Sequence, residues 1–135
     1  MSFSHLLDTN VISRLMKEPT GISAQRLFRT GDDRVCTSVV VACELRFGVA
    51  LRGSERLAVA VERVLESIVV LPLDQPADEH YARILNDLQN SGTLIGPNDL
   101  LIAAQARSLG LTLVTENERE FRRVSELQVE NWQLP

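Results

Sequence analysis

No run of about 18 uncharged apolar residues, the length a bilayer-spanning helix needs, occurs in the chain, so no membrane span is expected. The N-terminus carries no basic segment ahead of an apolar stretch, so no secretion signal is expected. Cysteine is scarce. Cys36 and Cys43 both sit in apolar surroundings, which reads as two buried, reduced thiols in a cytoplasmic protein rather than a disulfide framework. Internal repeats and low-complexity tracts are absent. Lysine is nearly absent too: Lys17 is the only one among 14 basic residues. Arginine's forked donors suit phosphate, but a net charge of -4 does not advertise a nucleic-acid surface.

What remains is a chain of 135 residues, 44% of them hydrophobic, enough for the core of one domain spanning 1–135. Its apolar runs alternate in type. "SHLLD" (4–8), "RVCTS" (34–38), "IVVLPL" (68–73) and "LTLVT" (111–115) read as strands, with "LQVENW" (127–132) a weaker fifth. Between them lie helical stretches. "TNVISRLMK" ends before Pro19, "GISAQRLFRT" (21–30) ends at Gly31, and "VVVACELRFGVALR" is capped by Ser38 and closed by Gly53. Residues 55–67, "ADEHYARILNDLQNSG" and "GPNDLLIAAQARSLG" follow the same rules, the last starting at Pro97, a good first-turn residue. Strands alternating with helices predict a mostly parallel sheet with helices on both faces. Ligands of such sheets sit beyond the carboxyl ends of the strands, where Asp8 and the segment after Thr115 fall.

Several acids stand where acids are unexpected. Glu44 has Val40, Val41, Phe47 and Gly48 as its helical neighbours, so it falls on the apolar stripe of its helix. A carboxylate buried there needs an arginine, a proton or a metal. Asp99 lies in the first turn of an otherwise apolar helix, where it could simply complement the helix dipole; Asp8 could simply be an N-cap. Together, however, the three face one edge of the expected sheet. No histidine joins them: His5 lies in a strand and His80 on an amphipathic helix, and both read as structural. Carboxylates gathered without histidine or cysteine suit hard cations such as Mg²⁺ or Mn²⁺, which serve phosphoryl chemistry. A fourth acidic segment, "ENEREFRRV", follows the strand "LTLVT". Glu116 and Glu118 read as a charged surface turn, whereas Glu120 precedes Phe121, a core anchor, and is placed to point inward.

"LLDTNVIS", "CELRFG", "IGPNDLLIAAQARSLG" and "LVTENEREFRRV", in this order and over nearly the whole chain, resemble a PIN-domain ribonuclease, and more closely a VapC-type toxin of the type II (VapBC) toxin–antitoxin pairs. The resemblance implies a three-layer α/β/α fold around a mostly parallel sheet of four to five strands. It makes Asp8, Glu44 and Asp99 the first three catalytic acids, with Asp8 and Asp99 the principal Mg²⁺ or Mn²⁺ ligands. Many members have aspartate where this chain has Asn117. In the branch with a "REF" ending, the glutamate of that ending replaces it, which here is Glu120. Thr9, Asn10, Ser38, Thr115 and Asn117 match supporting polar positions. The implied reaction is hydrolysis of an RNA phosphodiester that leaves a 3′-hydroxyl and a 5′-phosphate, with transfer RNA the leading substrate. The resemblance also implies a cognate VapB-type antitoxin whose tail crosses the active site, and a homodimer. Given the acidic net charge, RNA needs a local basic rim, for which Arg14, Lys17, Arg46, Arg52, Arg119, Arg122 and Arg123 are candidates.

Two other classes compete. A haloacid-dehalogenase phosphatase wants aspartate two residues after Asp8, where Asn10 stands, and a receiver domain wants a late lysine, but none follows Lys17. A non-catalytic PIN-like binding module is favoured by Asn117 and opposed by the retention of Asp8, Glu44 and Asp99.

Overall fold

The computed structural model describes residues 2–134. Five strands, β1 (His5–Leu7), β2 (Val35–Ser38), β3 (Val69–Leu71), β4 (Thr112–Val114) and β5 (Val129–Glu130), form one sheet in the order β3-β2-β1-β4-β5. Every pairing in it is parallel. Successive strand residues point to opposite faces. All four residues of β2 are buried, as are Leu6 and Leu7 of β1 and Leu113 and Val114 of β4, so both faces are covered. That is the three-layer α/β/α arrangement the sequence predicts.

The helices are α1 (Thr9–Lys17), α2 (Ile22–Thr30), α3 (Val39–Arg52), α4 (Glu55–Ser67), α5 (Ala77–Ser91), α6 (Pro97–Leu109) and the short α7 (Glu118–Phe121). Their starts follow capping chemistry. The side chains of Asp8, Ser38 and Ser54 accept backbone N–H groups at the starts of α1, α3 and α4. Pro97 opens α6, and Gly110 ends it with φ 68°, a conformation few other residues take without strain. α6 is central: Leu100, Ile102, Ala103, Ala104, Gln105 and Ala106 are all buried. Trp132, Phe121, Leu6, Leu7 and Ile12 are the bulk of the core around it. No helix among the described residues is long and apolar enough to cross a membrane.

The chain winds outward from β1 through β2 to β3, then crosses back to β4 on the other side of β1. The winding direction therefore reverses between β1 and β4. In open parallel sheets, the crevice beyond the carboxyl ends at such a reversal is the place for a ligand.

Two expectations need correction. The cysteines are not a buried pair: both are free, Cys36 is buried with its thiol pushed up to about 12, and Cys43 is exposed. Strand ends also fall short of the apolar runs. Arg34 belongs to a single 3₁₀ turn (Asp32–Arg34), and the strand proper starts at Val35.

Candidate active site

Asp8 stands where the winding reverses. Its backbone N–H donates to the carbonyl of Val114 (2.9 Å), which fixes it between β1 and β4 at their carboxyl edge. Its Oδ1 accepts the Thr9 N–H (2.8 Å) as the N-cap of α1, and its Oδ2 accepts the Thr115 hydroxyl (2.7 Å). It is only 4% exposed. Burial raises its pKa above the ordinary carboxylate range; the two hydrogen bonds oppose the rise and the charge of Glu44 adds to it. Capping does not exhaust the residue, because each carboxylate oxygen has about two acceptor sites and these contacts use one apiece.

Glu44 projects from the second turn of α3. Its Oε1 accepts the Thr9 hydroxyl (2.5 Å), and its Oε2 lies 3.5 Å from the amide of Asn98 at the start of α6. The expected apolar stripe is only half present. Val40 and Val41 are buried, but Phe47 is 66% exposed and Gly48 half-buried. Glu44 therefore sits at a boundary, half-buried, and is stabilised there without an arginine.

Asp99, the third residue of α6, shows what the cluster does electrostatically. A helix N-terminus stabilises a carboxylate and so lowers its pKa. The carboxyl of Asp99 is instead pushed up to about 7, first by burial, then by the charges of Asp8, Glu44 and Glu120 and by a hydrogen bond with Glu120. The dipole alone does not account for this residue; its acidic neighbours outweigh it. Glu120 reaches it from α7, which the fully buried Phe121 pins to the core.

The supporting residues divide. Thr115 has a hydroxyl used to capacity: it donates to Asp8 and accepts from the Asn10 amide (3.4 Å) and the Asn117 N–H (3.0 Å). Thr9 links Asp8 to Glu44 through its N–H and hydroxyl. Asn10 Oδ1 accepts the Glu116 N–H (3.1 Å). Ser38 is fully buried and caps α3 by accepting the Val40 N–H (3.0 Å). Asn117 precedes α7 without capping it by its side chain, and Glu120 is the acid of α7 whose charge acts on Asp99.

Sequence reasoning missed three contributors. Thr37 donates to the carbonyl of Leu7 (2.7 Å) and steadies the end of β1. Asn98 approaches Glu44. Glu116, read as a surface residue, is half-buried and takes the fork of Arg14. None announces itself by spacing, since each partner lies at least thirty residues away. Glu118 is half-buried as well and pairs with Arg122 within its own segment.

Two histidines and much of the basic rim are engaged elsewhere. His5 contacts Ser4 and Glu130, and His80 accepts from Arg107. Arg14 is committed to Glu116 and Glu18, Arg46 to Glu62, Arg122 to Glu118, and Arg123 to the carbonyl of Leu94. Lys17, Arg52 and Arg119 make no ion pair among the described residues. A groove of about 380 Å³ adjoins the acids between α1, α3 and α4. Thr9 and Glu44 are part of its lining together with Met16, Leu45 and Leu57, and Lys17, Arg52 and Arg56 contribute its positive charge.

Among the described residues, no three His, Cys, Asp or Glu side chains already enclose a metal position. The donors nonetheless fit a hard cation: they are all oxygen, Asp8 is buried, and Asp99 carries the repulsion of three neighbouring acids. Asp8 and Asp99, with Glu44 and Glu120 beside them, are the side chains able to hold one.

A family described as PIN domain matches residues 5–127. A Haemophilus influenzae protein named Ribonuclease VapC2 is 36% identical, over 95% of this chain and 97% of its own length. A Shigella flexneri protein named tRNA(fMet)-specific endonuclease VapC is 36% identical, over 94% of this chain and 96% of its own. Among solved structures, DNA-bound VapBC from Salmonella typhimurium superposes with a TM-score of 0.88 at 34% identity, over 96% of this chain and 98% of that one.

Proposed function

The chain belongs to the PIN-domain family, and from that premise we propose that residues 1–135 form a single-domain, metal-dependent endoribonuclease, the toxin of a toxin–antitoxin pair, with transfer RNA as its leading substrate. One observation carries the proposal: Asp8, Glu44, Asp99 and Glu120, from four separate segments, come close enough at the reversal of the sheet for Asp99 to respond to the other three.

Asp8 and Asp99 would hold the cation, with Thr115 and Thr9 fixing the Asp8 carboxylate. Bound Mg²⁺ or Mn²⁺ supplies a Lewis acid that polarises the phosphodiester and makes water a better nucleophile. Glu44, held by Thr9, sets the charge of the site on the α3 side. Glu120, beside Asp99, adds negative charge on the α7 side, and in the metal-free site the crowded acids favour a proton on Asp99 that a bound cation would displace. Lys17, Arg52 and Arg56, which make no ion pair among the described residues, line the adjoining groove and are cations available to an RNA backbone.

The antitoxin is assigned to the groove that begins at Thr9 and Glu44. Its apolar lining and its continuity with the acids suit a tail that covers the site, and related toxins are known in VapBC complexes. A second copy of the chain is assigned to the apolar stripe of α3, where Val39, Cys43, Phe47 and Leu51 recur every four residues and are all exposed. The test is cleavage of purified transfer RNA by the protein with Mn²⁺ and with a chelator. Cutting with Mn²⁺ alone, abolished in Asp99→Asn, is expected. Equal cutting in chelator refutes the metal mechanism, and no cutting in either refutes the enzyme.

A further inference from the structure

We propose that Arg14 and Glu116 are a pair of positioning residues that lock the β4–α7 segment onto α1 and so set the geometry of the acids; the proposal rests on the nuclease reading above. Arg14 presents a two-point fork to Glu116, Nε to Oε2 at 3.0 Å and Nη2 to Oε1 at 2.8 Å, and its Nη1 is taken by Glu18 at 2.8 Å. Each guanidinium nitrogen of Arg14 thus already donates to a carboxylate of the chain, although the side chain stays partly exposed. Asn10, one helical turn earlier on the same face of α1, accepts the Glu116 N–H and donates to Thr115. Two consecutive positions of this face therefore grip two consecutive residues of the segment, Thr115 and Glu116.

What the segment carries makes the grip consequential. Thr115 donates to Oδ2 of Asp8, on one side of the site. Glu120, four residues after Glu116, meets Asp99 on the other. Between them, residues 115–117 are joined to the sheet by one backbone bond from Thr115 to Glu130 (3.0 Å) and to α7 by the bond from Phe121 to Asn117 (3.4 Å). Removing the ionic fork leaves Asn10 as the main side-chain tie to α1. The distance between the Asp8 and Glu120 carboxylates then rests on Asn10 and on the anchoring of α7 by Phe121, without the ionic restraint between them. Forked arginine–carboxylate pairs are the ion pairs best suited to such a restraint, since two parallel bonds fix orientation as well as distance.

The test compares wild type, Arg14→Gln, Glu116→Gln and the double variant. Three quantities are measured: the Mn²⁺ concentration giving half-maximal thermal stabilisation, the single-turnover rate on transfer RNA at saturating enzyme, and the steady-state KM for transfer RNA. Each single variant is expected to raise the Mn²⁺ midpoint by about tenfold and to slow cleavage by a similar factor, as loss of a residue that orients ligands does, with KM little changed. Because each acts through the other, the double variant loses no more than either single one. A variant that melts earlier but keeps the wild-type Mn²⁺ midpoint overturns the proposal, since that is what a merely structural ion pair does. A raised KM in Arg14→Gln beside a neutral Glu116→Gln also overturns it and makes Arg14 an RNA contact. If wild type shows no Mn²⁺ stabilisation at all, the nuclease reading falls first and the positioning role falls with it.

Discussion

At Asp99 two effects oppose each other: the N-terminus of α6 favours the carboxylate, while burial and three nearby acids favour the proton. The second group wins, so the folded pKa, about 7, lies well above that of the unfolded chain. A group raised in this way adds stability that is complete below its unfolded pKa and is lost as the pH rises through its folded one. Metal-free protein is therefore expected to lose thermal stability between about pH 5 and 8 more steeply than Asp99→Asn, and melting both in chelator checks it. Parallel curves would show that burial and the neighbouring acids do not hold Asp99 above the ordinary carboxylate range. Mn²⁺ reverses the trend, since it binds the charged form, and its stabilising shift is larger at the upper end of this range. The same cluster separates Glu120 from Asn117. Glu120→Gln removes the acid set against Asp99 and is expected to slow RNA cleavage by about tenfold or more, whereas Asn117→Ala changes it by less than about threefold. Equal, small effects would mean that three acids suffice.

At the scale of elements, the caps are the most direct link from sequence to site. Ser38 ends β2, starts α3 and so aims Glu44; its side chain is completely buried. Ser38→Ala leaves the Val40 N–H without its partner and is expected to cost about 1 kcal/mol, measured by denaturant unfolding. A cost near zero would show that another group satisfies that N–H. Asp8, Ser38, Pro97, Gly53 and Gly110 are visible punctuation, which is why α1, α3 and α6 were legible at their ends. α7 was not, because four residues complete only one turn and show no period. α3 was legible as a helix but not in its orientation. Its face Val39, Cys43, Phe47 and Leu51 is as apolar as its buried face, so hydrophobicity alone put Cys43 inside and Glu44 deeper than it lies. Asp8, Glu44 and Asp99 could be chosen from the chain because each is an acid in apolar company. Glu116 could not, because what makes it matter is an arginine 102 residues earlier.

On the scale of the whole molecule, a net charge of -4 conceals an uneven field. Four acids crowd one crevice, Arg14, Arg46 and Arg122 are paired with glutamates of the chain, and Lys17, Arg52 and Arg56 stand in the adjoining groove. Such a field would draw a cation, and a basic side chain on a protein tail would compete for the same place. The tail has a second source of affinity in the apolar lining of the groove, which neither the ion nor the RNA shares. The two functions are therefore separable by mutation. Asp8→Asn removes a charge at the centre of the acids but leaves Met16, Leu45 and Leu57 untouched, so it is expected to abolish growth arrest while an antitoxin still co-purifies. A charge placed on the groove floor, Leu57→Glu, is expected to do the reverse: RNA cleavage by the free toxin persists, and the antitoxin no longer suppresses it. Growth arrest and co-purification measured side by side for both variants decide the matter. A toxic Asp8→Asn protein excludes the metal mechanism, and a Leu57→Glu protein that the antitoxin still holds and silences places the antitoxin on some other surface.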